Sequence, residues 1–391
     1  MFTALYTLLT GLFWLAALPI LPFFALKRKY RRSIPARFWL WRNPPVEEDG
    51  LWFHACSFGE ARALRPLVER FDRATVRMST TTQTGYEVCR ALVPDQCRYL
   101  PFEPLLWFWI RPQKALVVME AELWYLLFHV ARARGAATYL INARVSDRSW
   151  PSYRRFAWFY RRIFSRIDGV YAQTQKDRER LETLGAKEVR VTGNIKFAQV
   201  PRADCPLFKP DGAYLVCGAS THEGEEGAIL EGFRLLKSHR PEAKLLMVPR
   251  HPERFEKVAR MMESFARLQG WSFGRYSATE SLEADLILLD RMGELVNAYA
   301  VSDLVVLGGA FEPIGGHNAA EAAQFGMPIL SGPHRFNQRE IFAGIEGITI
   351  VEKEALAEAM EYPALLPRTR ILAQGDPLEE ITEELRRVLH N

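Results

Sequence analysis

Residues 51–71 read LWFHACSFGEARALRPLVERF, and the two halves of this stretch have different periods. Leu51 to His54 is a short apolar run of the kind buried on both faces of a parallel sheet, whereas from Gly59 to Phe71 the apolar residues recur at helical spacing. A strand that runs straight into a helix is the unit of a parallel sheet with crossover helices. The same alternation extends outward from it. Thr75–Ser79, Ala115–Met119, Thr138–Asn142 and Gly169–Ala172 read as further buried strands, and a second series follows at Tyr214–Cys217, Lys244–Val248, Leu286–Leu289, Leu304–Leu307 and Pro328–Leu330. Between the series lies Phe197 to Gly212, which holds Pro201, Pro206 and Pro210 and is the most linker-like stretch of the chain. The pattern predicts an α/β protein with two doubly wound domains, residues 33–200 and 201–391, with a cleft between them and the final helix a candidate to pack back on the first. Ligands of such sheets bind beyond the carboxyl ends of the strands.

Ahead of both domains, Met1 to Leu26 is uncharged and strongly apolar, long enough to cross a bilayer once. Lys27-Arg28-Lys29-Tyr30-Arg31-Arg32 follows at once, so residues 1–32 read as a membrane anchor with a basic collar, and the positive-inside tendency places the remainder at the cytoplasmic face. Pro19 and Pro22 leave open a broken helix that enters one leaflet only. A cleaved signal peptide would want charge before the apolar run and a small-x-small site after it, and has neither. Of 51 basic residues, seven precede residue 47 and none of the 46 acids does, so the chain's net +5 is local and the rest sums to −2. A diffuse nucleic-acid-binding surface is not expected from that distribution. With 48% hydrophobic and 25% charged residues the chain is neither disordered nor a disulfide scaffold. Cys56, Cys89, Cys97, Cys205 and Cys217 form no CxxC pair and His54, His222, His251, His317 and His334 no HExxH, so neither disulfides nor a metal is expected.

Chemistry is then sought in the loops after the strands. In His54-Ala-Cys-Ser-Phe-Gly59-Glu60, Ser57 offers a hydroxyl, Gly59 permits a tight turn and Glu60 falls in the first helical turn, either as a functional carboxylate or as a complement to the helix dipole. Ser79-Thr-Thr-Thr82-Gln-Thr-Gly85 could present hydroxyls and N–H groups to an anion, or be a capped polar turn. In Met119-Glu120-Ala-Glu122-Leu-Trp124, strand alternation would send both acids the same way, and two acids together want a cationic partner or a proton. From Arg132 to Arg166 there are nine arginines and one acid, with Trp150, Tyr153, Phe156, Trp158, Phe159 and Tyr160 interleaved. That composition suits RNA or a phosphorylated lipid, and the apolar N-terminus favours the lipid. In the second series, Cys217-Gly-Ala-Ser220-Thr-His-Glu-Gly224, Val248-Pro-Arg250-His251-Pro252 and Asp290-Arg-Met-Gly293-Glu294 follow strands. Leu307 to Glu321 is a glycine-rich strand-to-helix loop whose helix, beginning near Asn318, would offer N–H donors to a phosphate, with Asn318 and Glu321 at capping-box spacing.

Taken together, these segments resemble the membrane-anchored 3-deoxy-D-manno-octulosonic acid (Kdo) transferases of lipopolysaccharide biosynthesis. The resemblance runs from the anchor to about residue 345. It is carried by His54–Glu60, Thr81-Thr-Gln-Thr-Gly85, Tyr99-Leu-Pro-Phe102, Met119–Trp124, Ile141-Asn-Ala-Arg144 with Arg148-Ser149, Gly193-Asn-Ile-Lys196-Phe197, Pro249-Arg-His251, Gly315–Glu321 and Gly332-Pro-His334. Where the family commonly follows Glu-Leu-Trp with proline, this chain has Tyr125, and where the family commonly has Asn-x-x-Glu-Pro, it has Ala322 in place of the proline. The resemblance implies a GT-B fold and an inverting glycosyltransferase that moves Kdo from CMP-Kdo to a lipid A precursor (lipid IVA) at the cytoplasmic face of the inner membrane, without a metal or other cofactor. It implies Glu60 as general base and Arg250, His251, Met292, Gly293, Glu294, Asn318, Ala319, Ala320 and Glu321 around CMP. Ser57, Gly59, Thr82, Glu120, Glu122, Arg144, Arg148 and Lys196 are the residues it places at or near the acceptor. The implied partners are a nucleotide-sugar donor, a phosphorylated glycolipid and the membrane, with no nucleic acid. Another membrane-associated GT-B transferase with a different nucleotide-sugar or lipid acceptor is the alternative.

Overall fold

The structure, a computed structural model, describes residues 1–205, 207–372 and 376–390. Pro206, read as part of the linker, lies outside the described residues. The strands are β1 (Leu51–Ala55), β2 (Val76–Thr80), β3 (Cys97–Tyr99), β4 (Ala115–Met119), β5 (Ala137–Ala143), β6 (Gly169–Ala172), β7 (Val189–Val191), β8 (Tyr214–Thr221), β9 (Ala243–Pro249), β10 (Phe273–Arg275), β11 (Leu286–Leu288), β12 (Leu304–Leu307), β13 (Ile329–Ser331), β14 (Ile345–Glu346), β15 (Ile348–Ile350) and β16 (Arg370–Ile371). They make two parallel sheets, β3-β2-β1-β4-β5-β6-β7 and β10-β11-β9-β8-β12-β13-β15, beside a small antiparallel pair of β14 and β16.

Six neighbouring strands in each sheet share one order, three strands laid outward on one side and three on the other. That is the doubly wound order, and its reversal lies between β1 and β4 in one sheet and between β8 and β12 in the other. The inner strands are buried along their whole length, as in β1, β2, β4 and β12, which is why they read as continuous apolar runs. The strands of the two parallel sheets that are absent from the sequence pattern, β3, β7, β10 and β15, are all edges. Each is three residues long, and β3, β7 and β10 carry an arginine, the short, charged form that edge strands take.

Residues 1–199 and the C-terminal helix (Glu379–His390) form one compact unit, and residues 200–372 a second. In the first, Leu378, Ile381 and Leu385 of the C-terminal segment are buried in the same core as Leu51, Leu64 and Met78, and Tyr139 Oη donates to Glu384 Oε1 at 3.0 Å.

The N-terminus departs from the expected spanning anchor. It forms α1 (Phe2–Ala17), a break, α2 (Leu21–Ala25) and, after the basic collar, α3 (Ser33–Trp39). No helix among the described residues is long and apolar enough to cross a membrane. The 16 residues of α1 rise only about 24 Å against a hydrocarbon core of about 30 Å, and the two prolines around the break prevent continuation. One side of α1 is docked on the first unit. Thr3 Oγ1 and Tyr125 Oη are 2.8 Å apart, Tyr6 Oη donates to Glu103, Trp107 Nε1 donates to Thr7 Oγ1 at 3.3 Å and Trp14 Nε1 to the Phe38 carbonyl at 3.0 Å. Phe2 and Tyr6 pack on Tyr125 and Phe159. Tyr125, the residue that departs from the family's usual proline, is thus the centre of this dock. The other side leaves Leu5, Leu8, Leu9, Leu12 and Phe13 more than half exposed.

Candidate active site

The loop after β1 is built around Glu60. Ser57, extended at φ −116°, caps α4 (Phe58–Val68) by accepting the Glu60 N–H at 3.3 Å. Its hydroxyl donates to Glu60 Oε1 at 2.8 Å, and the Cys56 N–H donates to Glu60 Oε2 at 2.8 Å. This is a capping box whose acid reaches one residue further back than usual. The helix cap and the carboxylate at the end of the strand are therefore the same group. Burial raises the Glu60 pKa above the ordinary carboxylate value; the Cys56 N–H and Ser57 hydroxyl oppose this, and the negative charges of Glu120 and Glu122 add to it. Gly59 does not make the expected turn. It lies inside α4 with open space where a Cβ would stand, so the turn is made by Cys56 and Ser57 instead.

The hydroxyls of the loop after β2 turn inward rather than toward an anion. Thr80, Thr81 and Thr82 Oγ1 all donate to the Cys56 carbonyl, at 3.3, 3.1 and 3.0 Å, and Thr82 also caps α5 (Gln83–Leu92) by accepting the Gly85 N–H at 3.2 Å. Gly85 has no room for a side chain, since a Cβ would stand 2.5 Å from Thr80 Oγ1. The loop is a buttress that fixes Cys56 and hence Glu60. Thr81 Oγ1 is also 2.8 Å from Cys56 Sγ, whose pKa burial and Glu122 push up to about 12, which favours the neutral thiol.

After β4 the strand does not continue, and it is a turn, not alternation, that places the two acids. Glu120 takes a positive φ of 55° and Glu122 follows in the turn, where Trp124 Nε1 donates to its Oε2 at 2.6 Å. Glu120 has the cationic partners that two clustered acids require: Lys196 Nζ at 3.4 Å and Arg144 Nε at 3.8 Å. Buried Asn142 ties these together, reaching Glu120 Oε1 at 3.5 Å and accepting the Ile195 N–H at 3.1 Å. Arg148 is exposed and joins the cluster through no hydrogen bond or ion pair among the described residues. The arginine-rich segment forms helices Trp150–Arg155 and Ala157–Phe164, and several of its arginines are structural. Arg132 pairs with Asp168, Arg134 donates to the Trp107 and Ile110 carbonyls, and Arg162 lies over Phe2 and Trp158.

In the second unit the corresponding loops line the carboxyl edge of β11, β9, β8 and β12. Ser220 and Thr221 belong to β8 rather than to its loop, because a register shift and a positive φ at Ser220 let the strand run on. Arg250 and His251 follow β9, are exposed, and are fixed by the backbone, with the Arg250 N–H on the Thr221 carbonyl at 3.0 Å. Met292 is exposed, Gly293 has φ 93°, and Glu294 accepts from Asn297 Nδ2 at 2.9 Å. Asn318 Nδ2 donates to Glu321 Oε1 at 3.1 Å and Asn318 Oδ1 accepts the Ala320 N–H at 3.1 Å, while Ala319 and Ala320 are buried. The helix here begins at Ala320 and lasts a single turn (Ala320–Ala323), shorter than its loop suggested.

Two groups in this region were not singled out from sequence. Glu225, fully buried, accepts the N–H groups of His222 (2.9 Å), Gly309 (2.9 Å) and Phe311 (3.2 Å), clamping the glycine-rich loop to the end of β8. His222 and His317 stack, with their Nε2 atoms 2.9 Å apart, and His251 meets His222 edge-on. Burial first, then the neighbouring His and Arg charges, lower both pKa values, that of His317 to about 4. The His317 ring lies over Gly309, where a Cβ would stand 2.6 Å from Cδ2 at φ 74°. Glu225 and Glu226 are adjacent buried acids at a helix start, and nothing local marks Glu225 as the one that clamps the loop while Glu226 pairs with Arg254.

Two doubly wound parallel sheets, with a carboxylate cluster at the strand-order reversal of one and a clamped glycine-rich loop with histidines and an arginine at that of the other, make a two-unit α/β group-transfer enzyme. The chain belongs to the 3-deoxy-D-manno-octulosonic acid transferase family, a family of glycosyltransferases. Residues 32–199 match the family model described as 3-deoxy-D-manno-octulosonic-acid transferase (kdotransferase). The chain is 33% identical over 359 residues to the 3-deoxy-D-manno-octulosonic acid transferase of Haemophilus influenzae, covering 85% of this chain and 82% of that one. It is 32% identical over 326 residues to the transferase of the same name from Bordetella pertussis, with 76% and 74% covered. Among solved structures it is similar to the C-terminal CMP-Kdo binding domain of WaaA from Acinetobacter baumannii, at 27% identity, over 46% of this chain and 91% of that one, with a TM-score of 0.35.

Proposed function

We propose that the protein is a GT-B glycosyltransferase that moves Kdo from CMP-Kdo to a sugar hydroxyl of a lipid A precursor, with inversion, at the cytoplasmic face of the inner membrane. The observation that carries this reading is Glu60: a partly buried carboxylate with a raised pKa, held through both oxygens at the strand-order reversal of the first sheet. Each oxygen keeps a lone pair for a proton. Glu60 takes the proton from the acceptor hydroxyl as that oxygen bonds to the anomeric carbon, and the bond from that carbon to the CMP phosphate breaks with its electron pair leaving on the phosphate. A base of this kind works best with a pKa nearer the working pH than a free carboxylate has. Arg250 and His251 supply positive charge and hydrogen-bond donors to the phosphate, Glu321 and Asn318 take ribose hydroxyls, and Met292-Gly293-Glu294 lies against the base. Lys196 and Arg144 pair with Glu120 beside Glu60, and Ser57 and Thr82 hold the loop. The reaction so written needs no metal, because Glu60 removes the proton and the cationic side chains receive the departing charge.

The outer face of α1 supports an interfacial rather than a spanning attachment. Its exposed leucines adjoin, through Phe2, the exposed Trp158 and Arg162, and the basic collar follows. Apolar residues rimmed by cations are what binds a helix along an anionic membrane. Incubating the protein with CMP-Kdo and a lipid A precursor and weighing the product tests the reaction: a mass increase of one or more Kdo units is expected. Protection by UDP but not by CMP would reassign the donor.

A further inference from the structure

Arg37 lies outside every segment discussed so far as part of the site. It sits on α3, and its Nε donates to the Leu100 carbonyl at 3.0 Å. Leu100, directly after β3, donates its own N–H to the Thr80 carbonyl at the end of β2 at 2.8 Å. Thr80 donates in turn to Cys56, whose N–H holds Glu60. Arg37 is therefore fastened to the same carboxyl edge of the sheet as the base. Beyond the bond from Nε and a place over the Phe38 ring, 5.8 Å from its centroid, its guanidinium has no hydrogen bond among the described residues, and no carboxylate there comes within 4.0 Å of it. Glu122 and Cys56 are near enough to be felt by Arg37, without pairing with it.

A second group beside it is also unmatched. His54 is fully buried, with Nδ1 2.8 Å from Ser79 Oγ, and Ser79 Oγ accepts from Trp52 Nε1 at 2.8 Å. His54 Nε2 is buried and has no partner among the described residues. Burial first, and then the charge of Arg37, oppose protonation of this ring. A partly buried guanidinium without a carboxylate partner and a buried ring nitrogen without any are both costly, and a phosphate monoester, which offers both acceptor oxygens and a hydroxyl, would relieve the cost.

We propose that Arg37, with His54 beside it, forms an anion subsite that takes a phosphate of the acceptor glycolipid next to the hydroxyl that Glu60 deprotonates. The acceptor, rather than the donor, is the occupant because of where α3 lies in the chain. It follows α1, α2 and the basic collar directly, so Arg37 belongs to the part of the unit that carries the exposed apolar face, from which a lipid enters. The inference rests on the proposed transfer reaction.

Steady-state kinetics of the full chain, Arg37→Met and Arg37→Lys, with each substrate varied in turn, tests it. In Arg37→Met the acceptor KM should rise about tenfold or more, the value of a lost charge-assisted hydrogen bond, with the donor KM within about twofold; Arg37→Lys should recover part of the loss. The difference from wild type should vanish on a lipid A precursor stripped of its phosphates. A rise in donor KM instead would assign Arg37 to the carboxylate of the sugar donor and overturn the proposal, as would unchanged KM values for both substrates. If Arg37→Met does not fold, Arg37→Lys decides by the same comparison. Direct binding of the phosphorylated precursor in detergent micelles, followed by tryptophan fluorescence, separates the two levels. Weaker binding by the variants without any Kdo transfer by wild type would discard the reaction and keep the subsite.

Discussion

Glu60 caps a helix and is also the base in the proposed transfer, so one side chain would serve the fold and the chemistry at once. Its oxygens cap the backbone around Cys56, and glutamine at the same position of a capping box accepts the same N–H. Glu60→Gln should therefore lower kcat by about 10²–10⁴-fold, the worth of a general base, while CMP binding and melting temperature at neutral pH stay near wild type. Unchanged turnover would remove Glu60 from the reaction. Because its folded pKa is raised, two pH effects follow. The rate needs the ionised form, so kcat/KM should climb with pH through a value above the ordinary 4.5. Ionisation costs the fold, so the stabilisation that Glu60 contributes below pH 4.5 is lost as pH rises through the folded pKa, and Glu60→Gln should lack that loss. His317 works in the opposite sense. Its pKa is lowered from 6.5 to about 4, so its contribution is complete above pH 6.5 and lost as pH falls toward 4. The stability advantage of wild type over His317→Asn, measured by melting at several pH values, should shrink across that window. The sequence places Glu60 in a first helical turn and leaves function and capping as rivals. That the two are compatible is legible only once Ser57 and Cys56 are seen on its two oxygens.

At the scale of elements, the inner strands and the loops behind them were legible, because burial on both faces writes an unbroken apolar run. The edges were not, since three residues such as Val189-Arg-Val191 are too short and too charged to stand out from a loop. Apolar composition misleads at α1 for a different reason. It reports that a helix avoids water, and cannot distinguish a span from a helix with one side docked and the other in a lipid leaflet. The docked side is marked by polar groups, Thr3, Tyr6, Thr7 and the Trp14 indole, that a lipid-buried span would leave unmatched. Replacing Leu5, Leu8, Leu9 and Leu12 by serine changes only the outer face. Binding to vesicles containing anionic lipid should fall by about a hundredfold or more, at about 1 kcal/mol per leucine, with turnover on detergent-dispersed acceptor largely kept. Deleting residues 1–32 is the poorer experiment, because it also uncovers Tyr125 and Glu103. Vesicle binding that survives the four serines would place the membrane contact elsewhere, with the exposed arginines of Trp150–Arg155 the next surface to examine.

Across the whole molecule, the two sheets repeat one strand order with different loops, so the acid chemistry and the glycine-rich loop occupy equivalent positions on separate units. Strand order is a long-range property, and the local alternation of strand and helix cannot supply it. The chain leaves the first unit after residue 199, builds the second, and ends with a helix in the first. That closing helix is no ornament to the fold: Leu378 is fully buried and Ile381 and Leu385 are 1% exposed, in the core that also holds β1 and α4. Arg70 reaches across to Asp376 and Thr382, and Tyr139 to Glu384, so polar contacts rim the same seam. The first unit thus lacks part of its core until the last residues of the chain are available. Ile381→Ala or Leu385→Ala should each cost about 2–5 kcal/mol, as cavities in a packed core do. The loss should appear in hydrogen exchange as reduced protection of β1, β2 and α4, together with lower transfer activity, because the Glu60 loop joins β1 to α4. If protection falls in β8 and β9 while β1 keeps its own, the closing helix stabilises the wrong unit for this account, and its burial against Leu51, Leu64 and Met78 would not be what holds the base in place.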